Sequence, residues 1–198
     1  MFEFIEHIIY INLDHRVDRR VQIEKELSQY FPIEKIQRFS AIRHDHGGIG
    51  CTKSHIAVLE MAKKNGWKNY LVVEDDAIFS NFAKGYPLLE ELIKKPFDVI
   101  TLGTVFAKYN SDYKLFSGQT TTAYIVQNHY YDKLLENFRE GLNGFLLTGN
   151  YPMYSIDQYW KRIQPTDNWY CVIPSLIIQR EGYSDIERSV INNGRYFS

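Results

Sequence analysis

Residues 69–79 read NYLVVEDDAIF, an apolar run of aromatic, aliphatic and β-branched type followed directly by Glu74, Asp75 and Asp76. Such a run is the signature of a strand, here a central one. The acids behind it repel one another, and a carboxylate taken out of water is costly without a compensating charge. Two surroundings would meet that cost: bulk water at a strand end, or a divalent metal carrying a phosphorylated substrate. NYLVVEDD (69–76) reads as the strand, and strand side chains alternate, so Glu74 and Asp76 face one way and Asp75 the other. Two carboxylates on one side form a short oxygen-rich platform of the kind that hard ions such as Mg²⁺ and Mn²⁺ favour.

Working outward, HIIYINL (7–13) is another short apolar run and predicts a buried strand. Residues 16–30 place Val17, Val21, Ile23 and Leu27 at a weak helical period and stop at Pro32, and KIQRFSAI (35–42) alternates as a strand. The glycine-rich turn HDHGGIG (44–50) leads into a helix, CTKSHIAVLEMAKKNG (51–66), with Gly66 as its stop. Past the acids, YPLLEELIKK (86–95) reads as a helix and FDVITLG (97–103) as a strand. The second half is less regular. TTTAYIVQ (120–127) is strand-like, YYDKLLENF (130–138) and YSIDQYWKRI (154–163) are helical, and WYCVIPSLIIQ (169–179) is a strand interrupted by Pro174. Strands alternating with helices predict the α/β class, with a mostly parallel central sheet flanked by helices in a single unit. Ligands of such sheets lie beyond the carboxyl ends of the strands.

Bulk properties narrow the classes. The 198 residues are 44% hydrophobic and 15% aromatic, enough for a substantial core and unlike a disordered chain. Lys and Arg number 23 against 24 Asp and Glu, a formal charge of −1, so a generic nucleic-acid or membrane-surface binder is not indicated. The opening segment carries Glu3 and Glu6 where a leader peptide would be apolar, and no run approaches a membrane span, so the expectation is a soluble cytoplasmic protein. Cys51 and Cys171 read as two reduced thiols rather than a bridge.

Several groups of residues carry potential chemistry. Arg16, Arg19 and Arg20 cluster where the first strand passes into its helix, suited to phosphate or to a solvated helix face with Asp18 as partner. Asp157, between apolar and aromatic neighbours, fits a general base of raised pKa or a helix N-terminal acid. His44, Asp45, His46 and His55 match no common zinc spacing and read as an ordinary polar loop.

Taken together the segments YINLDHRVDRR (10–20), FSAI (39–42), GIGCTKSHIAVLE (48–60), YLVVEDDAIF (70–79), TTAYIV (121–126), SIDQYW (155–160) and PSLIIQREGYSDIE (174–187) resemble glycosyltransferase family 25, which includes lipopolysaccharide-type glycosyltransferases and procollagen galactosyltransferases. The resemblance implies a GT-A-type, Rossmann-like fold over residues 1–198, with a nucleotide-sugar-binding half to about residue 105 and an acceptor-side half over about 106–198. It implies transfer of a sugar, galactose or another hexose, with inversion, from a UDP-sugar to a glycan or protein hydroxyl. Carried onto this chain, Asp76 is a direct ligand of Mn²⁺ or Mg²⁺, with Glu74 assisting and Asp75 supporting. Asn12, Leu13 and Ala41 lie near the nucleobase, and Arg16 and Arg20 near it or the phosphates. Ser54 and His55 fall on a Ser-His pair of unassigned role. Asp157 is the base that deprotonates the acceptor, and Gln179 and Asp185 close the site. The alternatives are a non-catalytic nucleotide-sugar-binding domain and a nucleotidyltransferase on a similar sheet, although the glycine-rich loop expected of the latter is missing.

Overall fold

A computed structural model describes residues 2–186, 189–192 and 194–197. The end of the last family-like segment, Glu187, lies outside the described residues. The chain begins with β1 (His7–Asn12), α1 (Val17–Leu27), β2 (Ile36–Ser40), α2 (Gly47–Asn65), β3 (Asn69–Glu74), β4 (Ala77–Phe79), α3 (Phe82–Leu92) and β5 (Val99–Thr101). It continues with β6 (Val105–Tyr109), β7 (Leu115–Gln119), β8 (Ala123–Gln127), α4 (Tyr131–Thr148), α5 (Tyr151–Tyr154), α6 (Ile156–Tyr159), β9 (Trp169–Cys171), β10 (Ile177–Gln179), β11 (Gly182–Ser184) and β12 (Ser189–Ile191).

Six strands form the central sheet in the order β2-β1-β3-β8-β5-β9. β2, β1 and β3 are parallel, as are β5 and β9, while β8 runs antiparallel between β3 and β5. The sheet is therefore mostly parallel, as expected. It interleaves strands from both halves of the chain, because β8 and β9 follow residue 105.

β3 shows why the apolar run forms a central strand. Tyr70 and Val72 pack into one hydrophobic cluster with Ile56 and Leu59 of α2 and Leu134 and Phe138 of α4. Leu71 and Val73 pack into another with Ile23 and Leu27 of α1 and Leu88 and Leu89 of α3. A strand buried on both faces needs no polar alternation, and this one has none.

Four features depart from the sequence reading. β3 stops at Glu74, and Asp75 and Asp76 occupy a tight turn into β4, so the acids do not alternate along a strand. α2 starts at Gly47, so the glycine-rich stretch is its first turn rather than a flexible lead-in. Its glycines allow close approach: a Cβ on Gly48 would sit 2.4 Å from the Tyr151 ring, and one on Gly50 would sit 2.6 Å from the Ile42 carbonyl oxygen. α1 turns Ile23 and Leu27 inward but leaves Val17 and Val21 about 60% exposed, so its apolar stripe is narrower than the sequence suggests. α3 spans Phe82–Leu92 with Pro87 inside it, so it starts before the predicted span of 86–95 and ends short of it. The predicted stop at Gly66 holds, with φ +67°. Among the described residues no helix is long and apolar enough to cross a membrane.

Candidate active site

The parallel register of β1, β2 and β3 brings Asn12, Ser40 and Glu74 to one edge of the sheet. Asn12 is buried there and donates from Nδ2 to Asp75 Oδ2 (2.8 Å) and to the Arg16 carbonyl (3.0 Å). Arg38 donates from Nε to Asn12 Oδ1 (3.0 Å), which fixes the amide orientation. The cation that meets the acids is Arg19, from the first turns of α1. Its Nη1 donates to Asp75 Oδ1 (2.7 Å) and Asp76 Oδ2 (3.2 Å), and its Nη2 donates to the Tyr183 carbonyl (2.7 Å).

One guanidinium for two acids leaves the cluster electron-rich. Burial and then the Glu74 charge push the Asp76 carboxyl up despite Arg19, and burial likewise raises Asp75. Glu74 moves the other way: burial raises it, but the His55 ring, the Thr121 hydroxyl and the Gln179 amide outweigh burial and lower it. Thr121 Oγ1 donates to Glu74 Oε1 (2.6 Å) and Gln179 Nε2 to Glu74 Oε2 (3.3 Å). Asp76 Oδ1 is buried with no hydrogen-bond partner among the described residues. An unpartnered carboxylate oxygen in an all-oxygen, net-negative corner fits a hard divalent ion.

Two cavities meet here. One, of about 380 Å³, is lined by Leu13, Ala41, His55, Asp76, Tyr183 and Asp185 among others. The second, of about 420 Å³, is lined by Asp157, Thr120, Thr121, Tyr151 and Phe106. Cys51, Glu74 and Gln179 line both, so the two form one cleft with the Glu74 carboxylate at the join. Asp157, on α6, accepts from the Thr120 backbone N–H (3.1 Å) and the Ser155 hydroxyl (3.2 Å), yet burial pushes its pKa up.

Residues 45–122, which carry α2, β3 and the acidic turn, match the family model described as glycosyltransferase family 25 (LPS biosynthesis protein). This segment, less than half of the chain, is similar to that glycosyltransferase family. The fold of the chain is similar to that of a solved glycosyltransferase involved in the glycosylation of the major capsid of PBCV-1, at 13% identity and a TM-score of 0.59, over 92% of this chain and 95% of that one. A weaker likeness joins it to the glycosyltransferase GlyE of Streptococcus pneumoniae TIGR4, at 8% identity and a TM-score of 0.50, over 85% of this chain and 45% of that one. At such identities the likeness shows the fold, a GT-A-type α/β sheet. No curated protein matches the chain in sequence.

The residues expected at the site fall into three groups. Leu13, Ala41, Ser54, His55, Glu74, Asp75, Asp76, Gln179 and Asp185 all line the first cavity, and Asp157 lines the second. Asn12 and Arg16 stand just behind that lining. Arg16 donates to Asp185 Oδ2 (2.6 Å) and to Asp18, tying the β11–β12 hairpin to α1. Arg20 lies apart: it lines neither cavity and pairs with Glu24 (2.9 Å) on an exposed face. Ser54 accepts from the Ile42 N–H and donates to the Gly50 carbonyl (both 2.8 Å), so it fastens the loop after β2 to α2. His46 packs against Phe145 and Tyr151, away from His55.

Sequence reasoning named Arg19 only as one of three clustered arginines, without a site role, and passed over Arg38 and Thr121. For Arg19 a signal existed. Ile23 and Leu27 mark the inward face of α1, and Arg19 stands one turn before Ile23, whereas Arg20 stands one turn before the exposed Glu24. Val17 and Val21 blurred that phase. Arg38 and Thr121 act through tertiary contacts that no local pattern announces.

Proposed function

We propose that this protein is a metal-dependent, inverting hexosyltransferase that takes a sugar, galactose by family resemblance, from a UDP-sugar to a glycan or protein hydroxyl. The observation that supports it most strongly is the continuity of the cleft: the acidic turn opens on one side of Glu74 and Asp157 on the other. The first cavity would take the nucleotide, with Leu13 and Ala41 beside the base and the hairpin carrying Asp185 closing over it. The second would admit the acceptor, so the segment up to about residue 105 serves mainly the donor and the remainder mainly the acceptor.

In this reading Asp157 accepts the proton of the acceptor hydroxyl while its oxygen attacks the anomeric carbon. The bond to the diphosphate breaks on the opposite face, and its electron pair leaves on the phosphate oxygen. The raised pKa of Asp157 makes its carboxylate a better proton acceptor than an exposed aspartate. Mn²⁺ or Mg²⁺ bound at Asp76, with Glu74 assisting, would neutralise charge on the leaving diphosphate. Arg19 holds Asp75 and Asp76 in place before the donor arrives, and its guanidinium would lie beside the ion and diphosphate bound there. The role first given to Arg20 passes to Arg19 on this placement.

A panel of nucleotide sugars, each scored for hydrolysis with Mn²⁺ and with a chelator, tests the reading without knowledge of the acceptor. One donor should turn over only with the ion present. Release of pyrophosphate from a nucleoside triphosphate, or donor binding with no turnover for any sugar, would replace it with a nucleotidyltransferase or a binding domain.

A further inference from the structure

We propose that Cys51, His55 and Glu74 form a second cation site, built for a borderline-soft divalent ion of the Zn²⁺ class, which adjoins the all-oxygen corner at Asp76 and shares Glu74 with it. It needs no sugar donor and does not rest on the transferase reading.

Cys51 and His55 lie four residues apart on α2, so they share one face, and that face meets the end of β3 where Glu74 emerges. Their ligand atoms and a Glu74 oxygen all lie within 4.8 Å of one another. Glu74 Oε1 is 3.9 Å from Cys51 Sγ and 3.6 Å from His55 Nε2. Zinc bound at about 2.3 Å to sulfur and about 2.0–2.2 Å to nitrogen and oxygen spaces its ligands by roughly 3–4 Å, so little movement is needed to close around an ion.

His55 supplies the deciding observation. Its side chain is 1% exposed, and its Nε2 has no hydrogen-bond partner among the described residues. Its nearest acceptor, Glu74 Oε1 at 3.6 Å, is too far for a hydrogen bond, and a buried imidazole nitrogen that makes none is uncommon and calls for an explanation. The other ring nitrogen, Nδ1, meets the Tyr124 hydroxyl at 3.0 Å, which orients the ring so that Nε2 faces Glu74 and Cys51. A metal-bound histidine is held in the same way, by a partner on its second nitrogen. Glu74 is likewise held from outside, by Thr121 and Gln179.

The donor set decides the ion. Thiolate and imidazole select a softer cation than carboxylates alone, so this triad and the corner at Asp76 differ in preference. Because Cys51 and Glu74 line both cavities, an ion reaches the site from the cleft, and a fourth position remains open to water. Binding releases the thiol proton to solvent.

The test uses the full-length, donor-free protein titrated with Zn²⁺ by calorimetry and with Co²⁺ by absorption. The expected result is one Zn²⁺ per chain and a cobalt–thiolate charge-transfer band. Cys51→Ser should abolish the band, while Cys171→Ser, altered on β9, should keep it. Tyr124→Phe retains the buried ring and should weaken Zn²⁺ binding about 10–100-fold. Absence of a cobalt–thiolate band in the wild-type protein overturns the proposal whether or not the variants fold, and so does a band that survives in folded Cys51→Ser. Mn²⁺-dependent donor hydrolysis, measured on the same preparation, reports on the transferase reading separately.

Discussion

Arg19 holds two carboxylates that burial would otherwise neutralise. Its removal leaves Asp75 and Asp76 without their cation, and breaking a buried pair in this way costs about 3–5 kcal/mol. Arg19→Met should therefore lower the denaturant midpoint sharply in chelator, and Mn²⁺ should restore part of the loss. An unchanged midpoint would mean that the acids are satisfied without it. Asp157 is the other residue with a clear electrostatic signature. Its folded pKa is raised above the ordinary 3.8, so folding favours its protonated form. Its contribution to stability is fully present below that ordinary value and is lost as pH rises through the folded value. Asp157→Asn should then stabilise the protein at neutral pH, with the gain shrinking on acidification. The same substitution should leave donor binding intact and cut transfer roughly 10²–10⁴-fold. In the wild-type enzyme kcat/KM should fall on acidification at a higher pH than an exposed aspartate would give. Parallel melting curves and rate profiles across pH check both. At this scale the sequence identified Asp157 and the acids by residue type, but not which arginine answers them, because Arg19 and Arg20 differ only in helical phase.

The start of α2 and the closing hairpin are the elements that shape the donor side. Alanine normally gains about 1 kcal/mol over glycine inside a helix. At Gly50 the added Cβ would lie 2.6 Å from the Ile42 carbonyl, a backbone atom that cannot swing aside. Gly50→Ala should thus be net destabilising, by about 1–3 kcal/mol, and should loosen the loop that carries Ala41. A raised melting temperature would show instead that the helix start is adaptable. The β11–β12 hairpin is held to α1 through Asp185, Arg16 and His15. Asp185→Ala should raise the donor KM with a smaller effect on kcat, as measured by steady-state kinetics. The long elements were legible in the sequence because β1, β3, α2 and α4 carry continuous apolar runs or a helical period over several turns. The three-residue strands β4, β11 and β12 were not, since each is too short to show a period, and β4 forms only through its distant pairing with β10. The turn at Asp75 and Asp76 was missed for a related reason: an acidic strand end and an acidic turn look alike in sequence.

Across the whole molecule, one sheet drawn from both halves of the chain places the carboxyl ends of β1 and β3 beside α6 and Asp157. β8, antiparallel between β3 and β5, is the strand that makes this possible: the segment leading into it carries Thr120 to Asp157 and Thr121 to Glu74. The cleft is thus a product of topology, while its acidic floor is a product of local sequence. Its most direct test is the rate of nucleotide-sugar hydrolysis by wild-type protein and Asp76→Asn, followed across a range of Mn²⁺ concentrations with folding checked by circular dichroism. Turnover that rises with Mn²⁺ in the wild type, and that stays collapsed in folded Asp76→Asn at every concentration, is the predicted result. Equal turnover by the two proteins, or wild-type turnover unaffected by a chelator, would contradict the assignment of the acidic turn as the seat of a catalytic ion.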